Sequence, residues 1–242
     1  MTLALSLMSE KGIALVSDSR ATVGDVRGLT TSNDTVQKIF KLSEKIGLEV
    51  AGAGDIGATL VDDIAKKIPG TDDINSAVKK ICKLLKENFN QWFPKPVATE
   101  KGFVKDWPPL IFTVSGYSSA NKPDSYILVS QNYFVPQKST MGFHAIGIIP
   151  LAIYLLNRLY RKDSSLQTIT ELGAYCILET ASQDGKVGGP LQIAIIEPSK
   201  GFKFLTEDEK KVIISNVKKH RRNLQDSFYR LEEEKNEKNK KQ

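Results

Sequence analysis

The chain has 242 residues, 40% of them hydrophobic and 26% charged, which suits one sizeable domain with a full core. Its formal net charge of +6 is a modest excess without a basic motif interleaved with aromatic residues, so nucleic acid is not expected as a partner. No apolar run is long enough to cross a membrane and no secretory signal fits the start, so we expect a cytoplasmic protein without a membrane partner.

The cysteines and histidines give no sign of a disulfide, metal or cofactor site. Cys82 and Cys176 lie far apart in apolar helical patterns, and His144 and His220 have no companions at metal-ligand spacing. We therefore expect two core thiols, no metal and no cofactor.

The first half of the chain is predicted to form four strands and then two helices. Near-continuous apolar runs between polar turns indicate the strands, and apolar residues every three or four positions indicate the helices. The strands are predicted at 3–8, 13–17, 36–42 and 46–51, and the helices at 56–67 and 73–88. Asp55 is the predicted cap of the first helix. The aromatic loop at 89–109 is either a wall for a partner or substrate, or a loop pinned by its own packing.

The second half is predicted to alternate strands and helices in the same way. Strands are expected at 110–116 and 125–130, a short strand or a turn at 142–147, helices at 150–159 and from Ser164 or Ser165 to about 182, and strands at 191–196 and 202–205.

A terminal amphipathic helix is predicted to follow a capping box made by Thr206 and Glu209. Its apolar stripe either lies on its own domain, which we favour, or pairs with another subunit. The Glu/Lys/Asn-rich end is predicted to be disordered. The predicted division is therefore a domain over 2–205, a helix over 206–231 and a charged tail over 232–242.

The start of the chain carries a candidate nucleophile. Removal of the initiator methionine would leave Thr2 with a hydroxyl and a free α-amine, which are a nucleophile and its own base. The α-amine has a pKa of about 8, so a sizeable fraction is unprotonated near neutral pH. A nearby Lys38 would lower that pKa, and Asp18 is placed to keep the lysine charged. Backbone N–H groups around Gly52 and Gly54 are available to an oxyanion, because glycine allows a close approach.

Several short motifs follow one another in a definite order. They are Thr2, Asp18-Ser19-Arg20-Ala21-Thr22, Lys38-Ile39-Phe40, Val50-Ala51-Gly52, Ser115-Gly116-Tyr117, Ala145-Ile146-Gly147, and Asp184 followed by Gly188-Gly189. Over residues 2 to about 200 they resemble the β-type subunits of the proteasome superfamily of N-terminal-nucleophile hydrolases, and specifically a divergent prokaryotic member. The periodicity predicts only a mixture of helices and strands. The resemblance implies an α+β fold, the four-layer αββα sandwich of that family.

The resemblance also implies a catalytic set. Thr2 resembles the nucleophile of the family, Asp18 and Lys38 its charged pair, and Gly52 its oxyanion donor. Asp184 completes the set.

A second group of residues is implied to contact the substrate. Arg20 and Ala21 lie beside the nucleophile in the matching motif, and the backbone of Thr22 is expected to pair with an extended peptide. Val50 matches the floor of the first specificity pocket, which favours apolar side chains. Gly54 belongs to the same group.

The sequence departs from the family at two positions. Ile148 and Val187 stand where the family carries serines that orient the terminal amine and its water. These replacements leave the nucleophile in place but weaken the expectation of ordinary peptidase activity.

The favoured function is therefore a threonine-type endopeptidase that cleaves peptide bonds through an acyl-enzyme on Thr2. By resemblance, we expect a homo-oligomeric ring and a peptide or unfolded-protein substrate, and an ATP-dependent unfoldase is an open candidate as a partner. Two alternatives stay open. One is a transpeptidase or ligase that resolves the acyl-enzyme with an amine, and the other is a non-catalytic structural subunit.

Overall fold

Two stacked five-stranded sheets form the centre of the molecule, and helices cover both outer faces. The computed structural model describes residues 2–24, 30–68, 70–93 and 107–240, with the backbone alone for residue 30 and for 231–240. The strands are β1 (Leu3–Ser9), β2 (Gly12–Ser17), β3 (Ala21–Gly24), β4 (Thr30–Asn33), β5 (Ile39–Lys41), β6 (Ile46–Gly52), β7 (Leu110–Tyr117), β8 (Pro123–Val129), β9 (Gln137–Lys138), β10 (Phe143–Gly147), β11 (Gln192–Glu197) and β12 (Gly201–Phe204). The helices are α1 (Gly54–Lys67), α2 (Ile74–Trp92), α3 (Pro150–Leu159), α4 (Leu166–Gln183) and α5 (Glu207–Lys240).

The strand order explains the layers. The first sheet has the order β10-β1-β2-β11-β12, the second has the order β5-β6-β7-β8-β9, and β3 pairs with β4 in a small separate sheet. One apolar core joins α1 and α2 to the second sheet, and another joins α3, α4 and α5 to the first. The four-layer αββα sandwich is therefore confirmed.

Strands β1 and β2 lie inside the sandwich, with both of their faces covered. Every residue of the two strands is buried, which is why their sequences read as nearly continuous apolar runs. Leu3 and Leu5 pack on the helical side, whereas Ala4 packs between the sheets. The start of the chain is thus fixed at one end of the first sheet, where β1 and β2 meet the loops that carry the site.

Two predicted helix caps are confirmed. The side chain of Ser165 accepts a hydrogen bond from Thr168 N at the start of α4. Thr206 N donates to Glu209 Oε2 at 2.8 Å, and Glu209 N donates to Thr206 Oγ1 at 3.3 Å, which is a reciprocal capping box.

The predicted cap of α1 is wrong. The helix begins one residue earlier than Asp55, with Ala53 in the cap position, and Asp55 lies in the first turn. An acidic residue in the first turn still interacts favourably with the helix dipole. A cap signal and a first-turn signal are difficult to separate by sequence, because both use the same residue types.

Helix α5 extends further than predicted, to Lys240 rather than 231. Glutamate and lysine are good helix formers, so a segment rich in them can continue a helix that its first turns have nucleated. Residues 241–242 of the predicted tail lie outside the described residues.

The aromatic loop is anchored by packing at its far end. Trp107 is buried, and its ring meets Phe89 and Phe134 at centroid distances of 5.1 and 6.3 Å. Residues 94–106, which make up most of the predicted loop, lie outside the described residues. The predicted core thiols Cys82 and Cys176 are both buried. Within the ranges described, no helix has both the length and the apolar character that a membrane span requires.

Candidate active site

A buried carboxylate stands at the centre of the candidate site. Asp18 follows β2 and is fully shielded from solvent. Its Oδ1 accepts hydrogen bonds from Leu3 N at 2.9 Å and Lys38 Nζ at 2.6 Å. Its Oδ2 accepts from Gly188 N at 3.0 Å and Arg20 N at 3.2 Å. These donors compensate the loss of water around the charge, so one carboxylate ties four separate segments together.

The cation of the site is equally buried. The Lys38 side chain is 3% exposed, and its Nζ donates to Asp18 Oδ1 and to the carbonyl oxygen of Arg20, each at 2.6 Å. Burial lowers the pKa of the Lys38 ammonium from its ordinary value, and the Asp18 carboxylate offsets part of that change. The lysine is therefore held in one orientation by contacts that favour its charged form.

A backbone hydrogen bond holds Thr2 directly before β1. Its carbonyl oxygen accepts a hydrogen bond from Ile148 N at 2.8 Å. Gly147, which precedes Ile148, has a φ of +94°, and a Cβ built on Gly147 would lie 1.8 Å from the carbonyl oxygen of Thr2. Only glycine fits this approach, so Gly147 permits the backbone contact that holds Thr2. Met1, whose removal would free the amine, lies outside the described residues.

Most of the sequence-predicted site residues line one cavity of about 340 Å³. They come from five segments of the chain, which lie in or next to β1, β3, β5, β6 and α1 and meet at this cavity. The predicted residues in this lining are Thr2, Ala21, Thr22, Lys38, Val50, Gly52 and Gly54. The cavity thus has a polar wall around Thr2 and Lys38 and an apolar wall that includes Val50 and Phe40.

Gly52 stands where β6 ends and the chain turns into α1. Its φ is +111°, and a Cβ there would lie 2.2 Å from the carbonyl oxygen of Pro109. The same oxygen accepts a hydrogen bond from Ala53 N at 2.9 Å. Glycine is therefore needed for the turn itself.

The guanidinium of Arg20 contacts two other loops of the chain. Its guanidinium makes a bidentate pair with Asp34, at 2.7 and 2.8 Å, and donates to the carbonyl oxygen of Gly185 at 2.9 Å. These contacts join three loops behind the cavity.

Asp184 lies at the end of α4. Its Oδ1 accepts a hydrogen bond from Lys186 N at 2.9 Å, and its carbonyl oxygen accepts from Val187 N at 3.0 Å. Asp184 therefore shapes the turn that presents Gly188 N to Asp18, and its described side-chain contact lies within that turn.

Solved structures resemble this chain along almost its whole length. A mutant of Anbu from Hyphomicrobium sp. matches with a TM-score of 0.71 and 16% identity, over 95% of this chain and 97% of that one. Anbu from Yersinia bercovieri, described as an ancestral β-subunit, matches with a TM-score of 0.72 and 16% identity, over 94% and 96% of the two chains. At this identity the likeness establishes the fold.

Two curated relatives, both named proteasome subunit beta, are similar in sequence. The protein from Methanospirillum hungatei is 27% identical over 173 residues, which cover 67% of this chain and 81% of the relative. The protein from Picrophilus torridus is 24% identical over 212 residues, which cover 86% and 89%. These similarities support a divergent protein of the proteasome β type. No family model matches it.

The two departures from the family pattern have a common structural result. Ile148 is partly buried against the core between the first sheet and its helices, and Val187 is 1% exposed in that core. Apolar packing thus replaces hydroxyl groups at both positions. Ile148 keeps its backbone contact with Thr2, because that bond uses the main-chain N–H.

Sequence reasoning missed Gln192, which fixes the backbone around Lys38. Its Oε1 accepts from Lys38 N at 2.9 Å and from Ile39 N at 3.3 Å, and its Nε2 donates to Val36 O at 2.6 Å. Gln192 opens β11, 154 positions away from Lys38 in sequence. A single glutamine at the start of a strand has no pattern that marks it, so only the sheet order reveals it.

Proposed function

We propose that this chain is a threonine-type endopeptidase whose nucleophile is Thr2. The observation that carries the proposal is the shared cavity of Thr2 and Lys38, with the buried Asp18 carboxylate holding the lysine from behind. A nucleophile, a cation and an orienting acid in this relation are what an N-terminal-nucleophile hydrolase requires.

The reaction begins once Met1 has been removed. The α-amine of Thr2 takes the proton from Oγ1, and Oγ1 attacks the carbonyl carbon of the substrate. The C–N bond of the substrate then breaks, the proton passes to the leaving amine, and an ester on Thr2 remains. Water, activated by the same amine, adds to the ester, releases the acid and restores the hydroxyl. Lys38 favours the unprotonated amine through its positive charge.

The remaining lining residues support the substrate. A backbone N–H at Gly52 is proposed to receive the oxyanion, since its cavity wall carries no side chain there. The edge of β3 at Ala21 and Thr22 is proposed to pair with an extended peptide. Val50 and Phe40 favour an apolar side chain in the adjoining pocket.

The proposed setting is a homo-oligomeric ring in the cytoplasm that encloses the sites, as in other proteasome β-type proteins. Peptides or unfolded proteins are the proposed substrates, with an ATP-dependent unfoldase as an optional partner. A closed ring would restrict the cavity to chains that can be threaded or that diffuse in.

The proposal is tested with short peptides ending in a fluorogenic amide after an apolar residue. The processed parent should release the fluorophore, Thr2→Ala should abolish release, and Thr71→Ala, a threonine between α1 and α2, should leave it unchanged. A second experiment adds a peptide amine and identifies the products by mass. The products show whether water or the amine accepts the acyl group from Thr2. Release that persists in Thr2→Ala would overturn the mechanism, and a transfer product without hydrolysis would favour the ligase alternative.

A further inference from the structure

The second half of α5 carries large apolar side chains that its own domain leaves exposed. Earlier in the helix, Ile213 and Val217 are buried in the core shared with α4. Further on, Leu224, Phe228 and Tyr229 are 53%, 68% and 66% exposed. Leu224 and Phe228 are one helical turn apart on one face, so they form an apolar stripe. Burying this stripe against a partner would be favourable.

The helix is anchored at one end and projects at the other. His220 contacts Glu171 at 3.1 Å, and Arg221 Nε donates to Glu179 at 2.8 Å, which fasten α5 to α4. From residue 222 the helix continues to Lys240, a length of about 28 Å at the usual helical rise. Most helical stability in proteins comes from packing of one face, so a surface for the projecting part to lie on would stabilise it further.

The order of charges along α5 identifies that surface. Residues 218–222 read Lys-Lys-His-Arg-Arg, and residues 232–234 read Glu-Glu-Glu. Two parallel copies would place each block beside its like, which is unfavourable. Two antiparallel copies place the basic block of one helix beside the acidic block of the other. In that pair residue 220 of one copy lies opposite residue 233 of the other. The twofold axis therefore passes midway between them, near residue 227 and next to the stripe.

We propose that two copies of this chain associate through an antiparallel pair of α5 helices, with Leu224 and Phe228 at its centre. A groove of about 260 Å³ adjoins the stripe and is lined by Leu159, Leu172 and Tyr175 together with Leu224. In the antiparallel arrangement the far end of the partner helix passes over this groove. The contact is isologous, so it closes on two copies and does not extend. It uses none of the cavity residues and does not depend on the proposed activity.

Cysteine cross-linking of the full chain tests the pairing and its direction. Ser227→Cys, near the proposed axis, should form a disulfide-linked dimer under mild oxidation. Asn223→Cys, one turn earlier on the same face, is the matched control, because its two copies would be separated by about 12 Å along the helices, beyond disulfide reach. The natural cysteines are both buried and should not compete. Equal cross-linking of both variants would indicate a parallel pair, and absence of cross-linking from Ser227→Cys would also overturn the proposal.

Sedimentation of full-length variants tests the stripe itself. Phe228→Glu should weaken the α5-dependent association at least tenfold, and Val212→Glu, on an exposed position of the anchored half of the same helix, should leave it unchanged. A Phe228→Glu variant that keeps the parent's association and still supports Ser227→Cys cross-linking would place the contact elsewhere on α5.

Discussion

Lys38 Nζ lies 2.6 Å from Asp18 Oδ1, and the two side chains are 3% and 0% exposed. The pair joins the loop after β2 to the chain entering β5, and its cation faces the cavity that Thr2 also lines. Breaking this pair should therefore lower both the stability of the fold and the rate of the reaction. The two effects can be measured separately.

Removing one partner of this pair should be strongly destabilising. In Lys38→Ala the Asp18 carboxylate would stay buried without its cation, at a cost of about 3–5 kcal/mol. Turnover of a peptide substrate should also fall by about 10²-fold or more. The measurements are thermal unfolding and kcat at a temperature where the variant is folded. Lys41→Ala is the control, because its pair with Glu44 is exposed and should contribute at most about 1 kcal/mol.

Gln192 should act as a positioning residue. Gln192→Ala removes hydrogen bonds to the backbone at Lys38, Ile39 and Val36, so kcat should fall severalfold while KM changes little. Gln192→Glu keeps the acceptor oxygen and should recover part of the rate. The cost in stability should be about 1–2 kcal/mol. Gln167→Ala, on the exposed side of α4, provides the matched control. An unchanged pH profile and kcat in Gln192→Ala would show that the bonds only support the fold.

Gly147→Ala should displace Thr2. The added Cβ would meet the Thr2 carbonyl oxygen at 1.8 Å, and the φ of +94° is itself unfavourable for alanine. We expect a lower melting temperature and little or no turnover. Gly54→Ala is the control for the melting temperature, since a Cβ at that position meets nothing within 4 Å. Equal melting temperatures for the two variants would contradict this reading of the glycines.

Glu49 should make stability depend on pH. Its carboxyl is fully buried between the sheets, and burial raises its pKa well above the ordinary value, against a smaller opposing effect of the Leu5 backbone. The folded state therefore keeps a proton that the unfolded state loses above about pH 4.5. Stability from this group is lost as pH rises from there toward the folded-state pKa.

The test compares Glu49→Gln with the parent across pH 5 to 9 by chemical unfolding. The variant should gain stability over the parent as pH rises, because it has no proton to lose. Glu44→Gln, an exposed glutamate, should follow the parent. A constant difference between Glu49→Gln and the parent at all pH values would show that Glu49 does not titrate on unfolding.

The apolar patterns of the sequence predict most of the helices and strands. The arrangement of these elements is predicted only through the resemblance to the proteasome β-type family. Apolar periodicity locates β1, β2 and the helices, because their buried faces impose it. The pairing of β11 with β2 brings together segments that are far apart in sequence, and no local signal specifies it. The short strands β3 and β9 were not predicted, because each is partly or fully exposed and carries little apolar pattern.

The candidate site, like the fold, could be predicted from the sequence only in part. Thr2, Asp18 and Lys38 could be predicted to act together because they belong to motifs with a recognisable order. The contacts of Arg20 could not, since Asp34 and Gly185 reach it from loops whose positions depend on the finished fold. Gln192 was missed for the same reason.

The most direct test of the central claim is the intact mass of the purified protein before and after treatment with a peptide epoxyketone. This reagent needs both the hydroxyl and the free amine of a terminal threonine to complete its adduct. We predict a mass without Met1 and a single adduct that Thr2→Ala does not form. A protein that retains Met1, or one that lacks Met1 and still forms no adduct with any apolar peptide epoxyketone, would contradict the assignment of Thr2 as the nucleophile.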